Sequence, residues 1–220
     1  MKNDEFLIEY KEIIEQVDKL DKKPTLFLHA CCGPCLTYPL SILIEHFNVT
    51  VGFFNPNIQP VNEYNKRLDT LKEFIANYSE DNNVNIPLVV NEEDFEQYKV
   101  IFKDRYLDKE GGPTCLKCHE YRMKLAYEYA SKHHFDYFTT VMTVSCKKPS
   151  RELNLIATQL SKQYPDTKYL YSDFKKEDGQ LKGIRIAKQY NLYRQNYCGC
   201  LISLKERIAY LEKKTNQNTL

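Results

Sequence analysis

Tryptophan does not occur in the chain, and neither sign of charge predominates: 31 basic side chains face 30 acidic ones over 220 residues. Without indoles, the aromatic bulk falls to 17 tyrosines and 11 phenylalanines. A net charge of +1 gives no global attraction to nucleic acid, so any basic surface has to be local. No apolar stretch reaches the roughly 18 residues of a membrane-spanning helix. The first residues, MKNDEFLIEYKEIIEQVDKLDKK, are charged throughout and hold no signal-peptide core. A soluble, cytoplasmic protein is therefore expected. No repeat, low-complexity tract or Gly/Pro linker suggests a second domain. Residues 1–220 read as a single α/β domain, long enough to bury a normal core.

What the chain does hold is cysteine, eight in all. In a reducing compartment these are poor disulfide material, and metal binding or redox chemistry is the better reading.

Hydrophobic periodicity lays out alternating elements. Residues 5–19 space Phe6, Leu7, Tyr10, Ile13, Ile14 and Val17 as an amphipathic helix, ended by Lys23 and Pro24. TLFLHA (25–30) reads as a buried strand, residues 37–46 as a helix and VTVGFF (49–54) as the next strand. This is a βαβ unit with CCGPC in its first βα turn. Helices follow over 60–78, 92–102, 121–134 and 150–164, with strands at 86–90, 135–144 and 167–173. GIRIAKQY and LISLKERIAYLEKK close the chain as helices. The alternation predicts a Rossmann-like three-layer fold, a mostly parallel sheet with helices on both faces. Ligands of such sheets lie beyond the carboxyl ends of the strands, where Cys31, Cys32 and Cys35 fall.

The other cysteines also sit at element ends. GGPTCLKCHEYRM (111–123) places Cys115 and Cys118 just before a helix, Cys146 follows the fourth strand, and NYCGC ends in Cys198 and Cys200. Four readings compete. Cys32, Cys35, Cys115 and Cys118 form two C-x-x-C pairs suited to tetrahedral zinc, which leaves Cys31, Cys198 and Cys200 idle. CGPC between a strand and a helix looks like a thioredoxin-type dithiol, but the chain is about twice the expected size and Cys31 abuts the nucleophile. Adjacent Cys31 and Cys32 can splay to different irons and, with Cys115 and Cys118, make a feasible set for a [4Fe–4S] cluster, leaving Cys35 for a second metal. Scattered buried thiols are a fair account of Cys146 alone. In CGC the two thiols are close enough for a strained, easily reduced bridge, and such a pair can cycle.

Taken together, LHACCGPC (28–35), FFNPNIQPVNEYNKR (53–67), GGPTCLKCHEYRM (111–123), TTVMTVS (139–145), DFKK (173–176) and LYRQNYCGC (192–200) resemble the QueH family of epoxyqueuosine reductases. The resemblance implies reduction of the epoxide of epoxyqueuosine at the tRNA wobble position, the last step of queuosine synthesis. It also implies a [4Fe–4S] cluster, a nearby second iron and an electron donor that the sequence does not identify. Carried over by motif, the cluster ligands fall on Cys31, Cys32, Cys115 and Cys118, and the redox-active pair on Cys198 and Cys200. Cys35 is the sequence's candidate for the second metal, with Asp173 as a carboxylate partner. The family's Ser-Pro after the fourth strand is Ser145-Cys146 here, so Cys146 has no assigned role. The alternative reading is a zinc-stabilised RNA-binding module or a thioredoxin-like thiol oxidoreductase.

Wobble bases are read in single-stranded loops by stacking and hydrogen bonds. Tyr64, Tyr193 and Tyr197 are candidate stackers, and Lys147, Lys148, Lys175, Lys176, Arg185 and Arg194 candidate phosphate contacts. Asn55, Asn57 and Glu63 are expected to fix the 55–64 loop through local hydrogen bonds. His119 is a candidate proton donor or neighbour of the metal ligands.

Overall fold

A computed structural model describes residues 3–91, 95–104 and 108–217. The helices are α1 (Asn3–Val17), α2 (Gly33–Leu43), α3 (Val61–Asn82), α4 (Phe95–Ile101), α5 (Pro113–Lys132), α6 (Ser150–Ser161), α7 (Gly179–Gln189) and α8 (Leu201–Gln217). The strands are β1 (Thr25–Ala30), β2 (Asn48–Phe53), β3 (Leu88–Val90), β4 (Tyr137–Thr140) and β5 (Lys168–Tyr169). They form one sheet in the order β3-β2-β1-β4-β5, and each neighbouring pair is parallel. The expected α/β, Rossmann-like architecture is the one observed.

β1 shows why helices cover both faces. Side chains alternate along a strand, so Leu26, Leu28 and Ala30 enter one core with residues of α2 and α3, such as Leu36, Leu40, Leu71 and Phe74. Phe27 enters the other, with Met123, Ala126 and Tyr127 of α5 and Leu153 and Ala157 of α6. His29 also points to that second face, where its ring nitrogens lie 3.2 Å from Thr140 Oγ1 and 3.1 Å from the Phe54 carbonyl. Burial, reinforced by the charge of Arg122, holds its pKa down at about 3, so the imidazole is neutral.

The sheet grows outward from β1 through β2 to β3, then resumes on the other side with β4 and β5. The crevice between the carboxyl ends of β1 and β4 is the topological switch point, the usual ligand position in open parallel sheets.

Element ends depart from expectation for identifiable reasons. α2 begins at Gly33 rather than residue 37, because Pro34 lies in its first turn, where the missing N–H costs nothing. α5 begins at Pro113 rather than 121, again with proline at its start, so Cys115 and Cys118 lie on the helix and not before it. β4 stops at Thr140, opposite His29 and one residue short of the end of β1. The chain turns instead into a 3-10 helix, Val141–Val144, whose Met142 amide donates to Thr140 Oγ1 at 3.2 Å. β5 is two residues long; Leu170 N still donates to Phe138 O at 2.9 Å, and beyond it Asn154 accepts from Ser172 N and donates to Ser172 O. The first three residues of the helix expected over 92–102 lie outside the described residues; α4 takes up Phe95–Ile101 and ends one residue early.

Candidate thiol centre and its cavity

The site is built from two helix starts. Cys32 is the N-cap of α2 and Cys35 lies in its first turn; Cys115 lies in the first turn of α5 with Cys118 one turn on. Helix starts present free N–H groups and a positive dipole end, which favours thiolate over thiol. The Gly111 amide donates to Cys115 Sγ at 3.3 Å. Gly33 lets the start of α2 approach α3: a Cβ there would sit 3.1 Å from Thr70 Cγ2 and 3.3 Å from Thr70 O.

Three sulfurs, those of Cys31, Cys32 and Cys35, lie within 4.8 Å of one another. Cys31 and Cys32 are buried, and their sulfurs are 3.9 Å apart. Within the triad, Cys31 ionises first. Hydrogen bonds from Cys32 and Cys35 hold its pKa well below the usual thiol range, aided by the charges of Lys148 and Arg122. Burial, then the neighbouring Cys31, pushes Cys32 up to about 12, and Cys35 is raised as a donor to Cys31 and Cys32. Gln195 Nε2 donates to Cys32 Sγ at 2.8 Å.

Cys31 and Cys35 open into a cavity of about 430 Å³, whose walls also carry Cys115, Cys146 and Cys198. That volume is within the ordinary range for small-ligand sites. His119 lines it too, with Nδ1 buried and unpartnered. Burial, then Lys148 and Arg122, keeps its pKa well below the usual histidine value. Cys118 is buried; its thiol accepts from Tyr98 OH at 3.4 Å and feels the charges of Cys198 and Cys200. Burial raises the Cys118 pKa to about 11. The structure thus brings Cys31, Cys32 and Cys35 into one knot. Cys115 and Cys198 lie on the same cavity, and Cys118 lies within electrostatic reach of the CGC pair. None of the eight cysteines is in a disulfide.

The CGC segment is clamped from the 55–67 region. Arg67, fully buried, donates to the carbonyls of Cys198 at 2.9 Å and Tyr197 at 3.1 Å, while its Nε pairs with Glu63 at 2.7 Å. Gln59 N donates to Gly199 O at 2.8 Å. Gly199 has φ of +142°, and a Cβ there would lie 3.0 Å from Asn57 Nδ2. Only glycine suits both the backbone angle and the space.

The three candidate stackers have intramolecular work. Tyr64 packs edge-on against Phe53 and Phe95. Tyr193 donates to Glu63 Oε2 and Tyr197 to Gln59 O. Asn55 and Glu63 tie distant segments together, Asn55 reaching Ala30 and Arg122 and Glu63 reaching Tyr193. Of the candidate phosphate contacts, Lys147, Lys148 and Arg194 line the cavity. Burial works against the charge of Lys148, but Cys31, Cys198 and Cys35 outweigh it and its pKa is raised. Lys175 instead pairs with Asp173 at 2.9 Å, and both contact Ser150, so Asp173 braces the start of α6. Among the described residues Asp173 is not part of the sulfur knot. Sequence reading missed Arg67, Arg122, Gln195 and the cavity-lining Lys188. Arg122 left a usable signal, standing seven residues after Cys115 on the same helical face, and so did Arg67, four residues after Glu63.

Fold and site define an α/β protein whose ligand crevice is a thiol centre, soft in ligand character and basic at its rim. A family profile described as "Epoxyqueuosine reductase QueH" matches residues 26–206. The chain is 34% identical to the epoxyqueuosine reductase QueH of Staphylococcus aureus, over 90% of this chain and 82% of that protein. It is 31% identical to the one from Haemophilus influenzae over 93% and 82% of the two chains, and 31% identical to the one from Thermotoga maritima over 83% and 92%. The chain belongs to the QueH family of epoxyqueuosine reductases, and is an oxidoreductase. In fold it is similar to the U34-tRNA thiolase NcsA from Methanococcus maripaludis, solved with its [4Fe-4S] cluster: TM-score 0.50, 13% identity, covering 98% of this chain and 75% of that one. No helix of the described residues is long and apolar enough to cross a membrane.

Proposed function

We propose that this protein, a single α/β domain, reduces the epoxide of epoxyqueuosine at the wobble position of tRNA in the cytoplasm, using a [4Fe–4S] cluster on Cys31, Cys32, Cys115 and Cys118. Cys35 is assigned to a second iron, and Cys198 with Cys200 forms the redox-active pair. The observation that carries the reading is the convergence of three sulfurs within 4.8 Å at the carboxyl end of β1, on a cavity whose wall also carries Cys115 and Cys198. The chemistry of the donors fits the group. The knot is all thiol, a ligand type that suits iron–sulfur clusters as well as zinc, and the charge of the buried Arg122, whose Nε is orphaned, reaches Cys31.

Removing the epoxide oxygen to leave an alkene takes two electrons and two protons and releases water. When bound, a cluster supplies electrons one at a time, and an added iron supplies Lewis acidity toward oxygen. The chain's own residues do the rest. Lys147, Lys148, Lys188 and Arg194 place positive charge around the cavity, where loop phosphates would approach. The CGC dithiol, clamped by Arg67, provides two electrons on becoming a disulfide and is restored by an external reductant, the unidentified donor. His119 offers an unpaired ring nitrogen to the cavity interior.

The test is anaerobic purification, a visible spectrum, metal and sulfide analysis, and incubation with epoxyqueuosine-containing tRNA and a chemical reductant, followed by nucleoside mass spectrometry. Expected are a broad band near roughly 400 nm and conversion to queuosine. Cys31→Ala and Cys118→Ala should each lose most iron and sulfide, while Cys35→Ala should keep the cluster. A colourless protein with stoichiometric zinc and no conversion would establish the zinc-stabilised RNA-binding module instead.

A further inference from the structure

Cys115, Cys118, His119 and Arg122 stand at i, i+3, i+4 and i+7 on α5 and so share one helical face. Arg122 is 1% exposed. Its Nη2 donates to Asn55 Oδ1 at 2.5 Å, while its Nε has no partner. Asn55 is neutral, and its own amide is spent on the Ala30 carbonyl. The contrast with Arg67 is informative: that equally buried guanidinium has Glu63 at 2.7 Å. Among the described residues no carboxylate pairs with Arg122. A buried charge without a counterion is strongly destabilising. The sulfurs its charge acts on are those of Cys31, at the end of β1, and Cys118, one turn before it on the same face of α5.

We propose that Arg122 is the buried counterion of the thiolate-bound centre, and that its charge, rather than its bond to Asn55, raises the reduction potential of that centre. The inference rests on the proposed reading that Cys31 and Cys118 are among the cluster ligands. A cluster on four thiolates is a net anion, and reduction adds one more negative charge. A fixed cation in a dry site therefore favours the reduced form over the oxidised one. Lys148 adds a second cation from the cavity side, where solvent reaches it.

Two variants separate charge from structure. Arg122→Gln removes the charge and keeps an amide donor for Asn55; Arg122→Lys keeps the charge and loses the planar fork. Each, with the wild type, is assembled anaerobically, its iron and sulfide are counted, and its midpoint potential is read by redox titration followed by electron paramagnetic resonance. The metal-free forms are unfolded in urea. The expected result is a more negative midpoint for Arg122→Gln and a near-wild-type midpoint for Arg122→Lys, each in a protein whose metal-free form still unfolds cooperatively in urea. Arg122→Met, of similar volume and uncharged, replaces the Gln variant if that protein is not recovered folded. An unchanged midpoint in the uncharged variant, or equal shifts in the uncharged and Lys variants, overturns the counterion role. A wild type that takes up no iron and sulfide instead overturns the cluster reading on which it rests.

Discussion

Arg67 Nη1 lies 2.9 Å from the carbonyl oxygen of Cys198, a residue 131 positions later in the chain. With the second bond to Tyr197 O and the ion pair to Glu63, one buried guanidinium fixes the backbone of the CGC segment on the cavity wall. Arginine suits this because its donors form a rigid fork; a lysine ammonium cannot span two carbonyls and a carboxylate in the same geometry.

Arg67→Ala should therefore destabilise the protein by about 3–5 kcal/mol, the usual cost of stripping one partner from a buried pair. Arg67→Lys should recover less than half of that. Urea unfolding of the metal-free protein measures both. A loss below about 1 kcal/mol, the level of an exposed pair, would show that Glu63 and the two carbonyls find other partners.

Gly199→Ala tests the same segment from the other side. At a φ of +142°, with Asn57 Nδ2 3.0 Å and Ile58 Cγ1 3.1 Å from the added Cβ, the chain must shift. A cost of about 1–3 kcal/mol is expected for the strained backbone. Iron and sulfide content should stay at the wild-type level, because none of the proposed cluster ligands lies in this segment. An alanine variant of unchanged stability and turnover would mean that the tight fit of the CGC loop has no consequence.

Cys198→Ser and Cys200→Ser should each abolish multiple turnovers while retaining the cluster. Iron content and activity are best read on the same preparations. Parallel loss of metal would make the altered residue a ligand; full turnover by both single variants would end the redox role.

The rim charges predict an RNA contact. Lys147 is exposed on the cavity wall, and Lys147→Ala should weaken binding of an anticodon stem-loop and flatten its salt dependence by about 0.7 in the log–log slope, the value for one single-strand phosphate contact. Lys147→Ala/Lys148→Ala should lower both further. Affinity titrated over a range of salt checks this, and an unchanged slope in both variants would put the RNA on another face.

The sequence alone determined the parallel α/β architecture, because alternating strand and helix periodicities leave few other ways to bury both faces of β1. It also placed CCGPC at the ligand edge, since that motif directly follows a buried strand, and its motifs in order pointed to the QueH family. Element ends were less legible. Pro34 and Pro113 read as loop residues, yet each sits in a first helical turn, where a proline is harmless, and this moved Cys35, Cys115 and Cys118 onto helices. The hydroxyl partners of Tyr193 and Tyr197 and the ring neighbours of Tyr64 were not legible either, because they come from segments distant along the chain. What only the tertiary structure decided was the company each charge keeps. Arg67 and Arg122 look alike along the chain, but folding brings Glu63 to one and neutral Asn55 beside the thiols to the other. Such pairings join residues far apart in sequence. They follow from how α3 and α5 pack around β1, and the physical cost of burying a guanidinium is what makes the difference between them consequential.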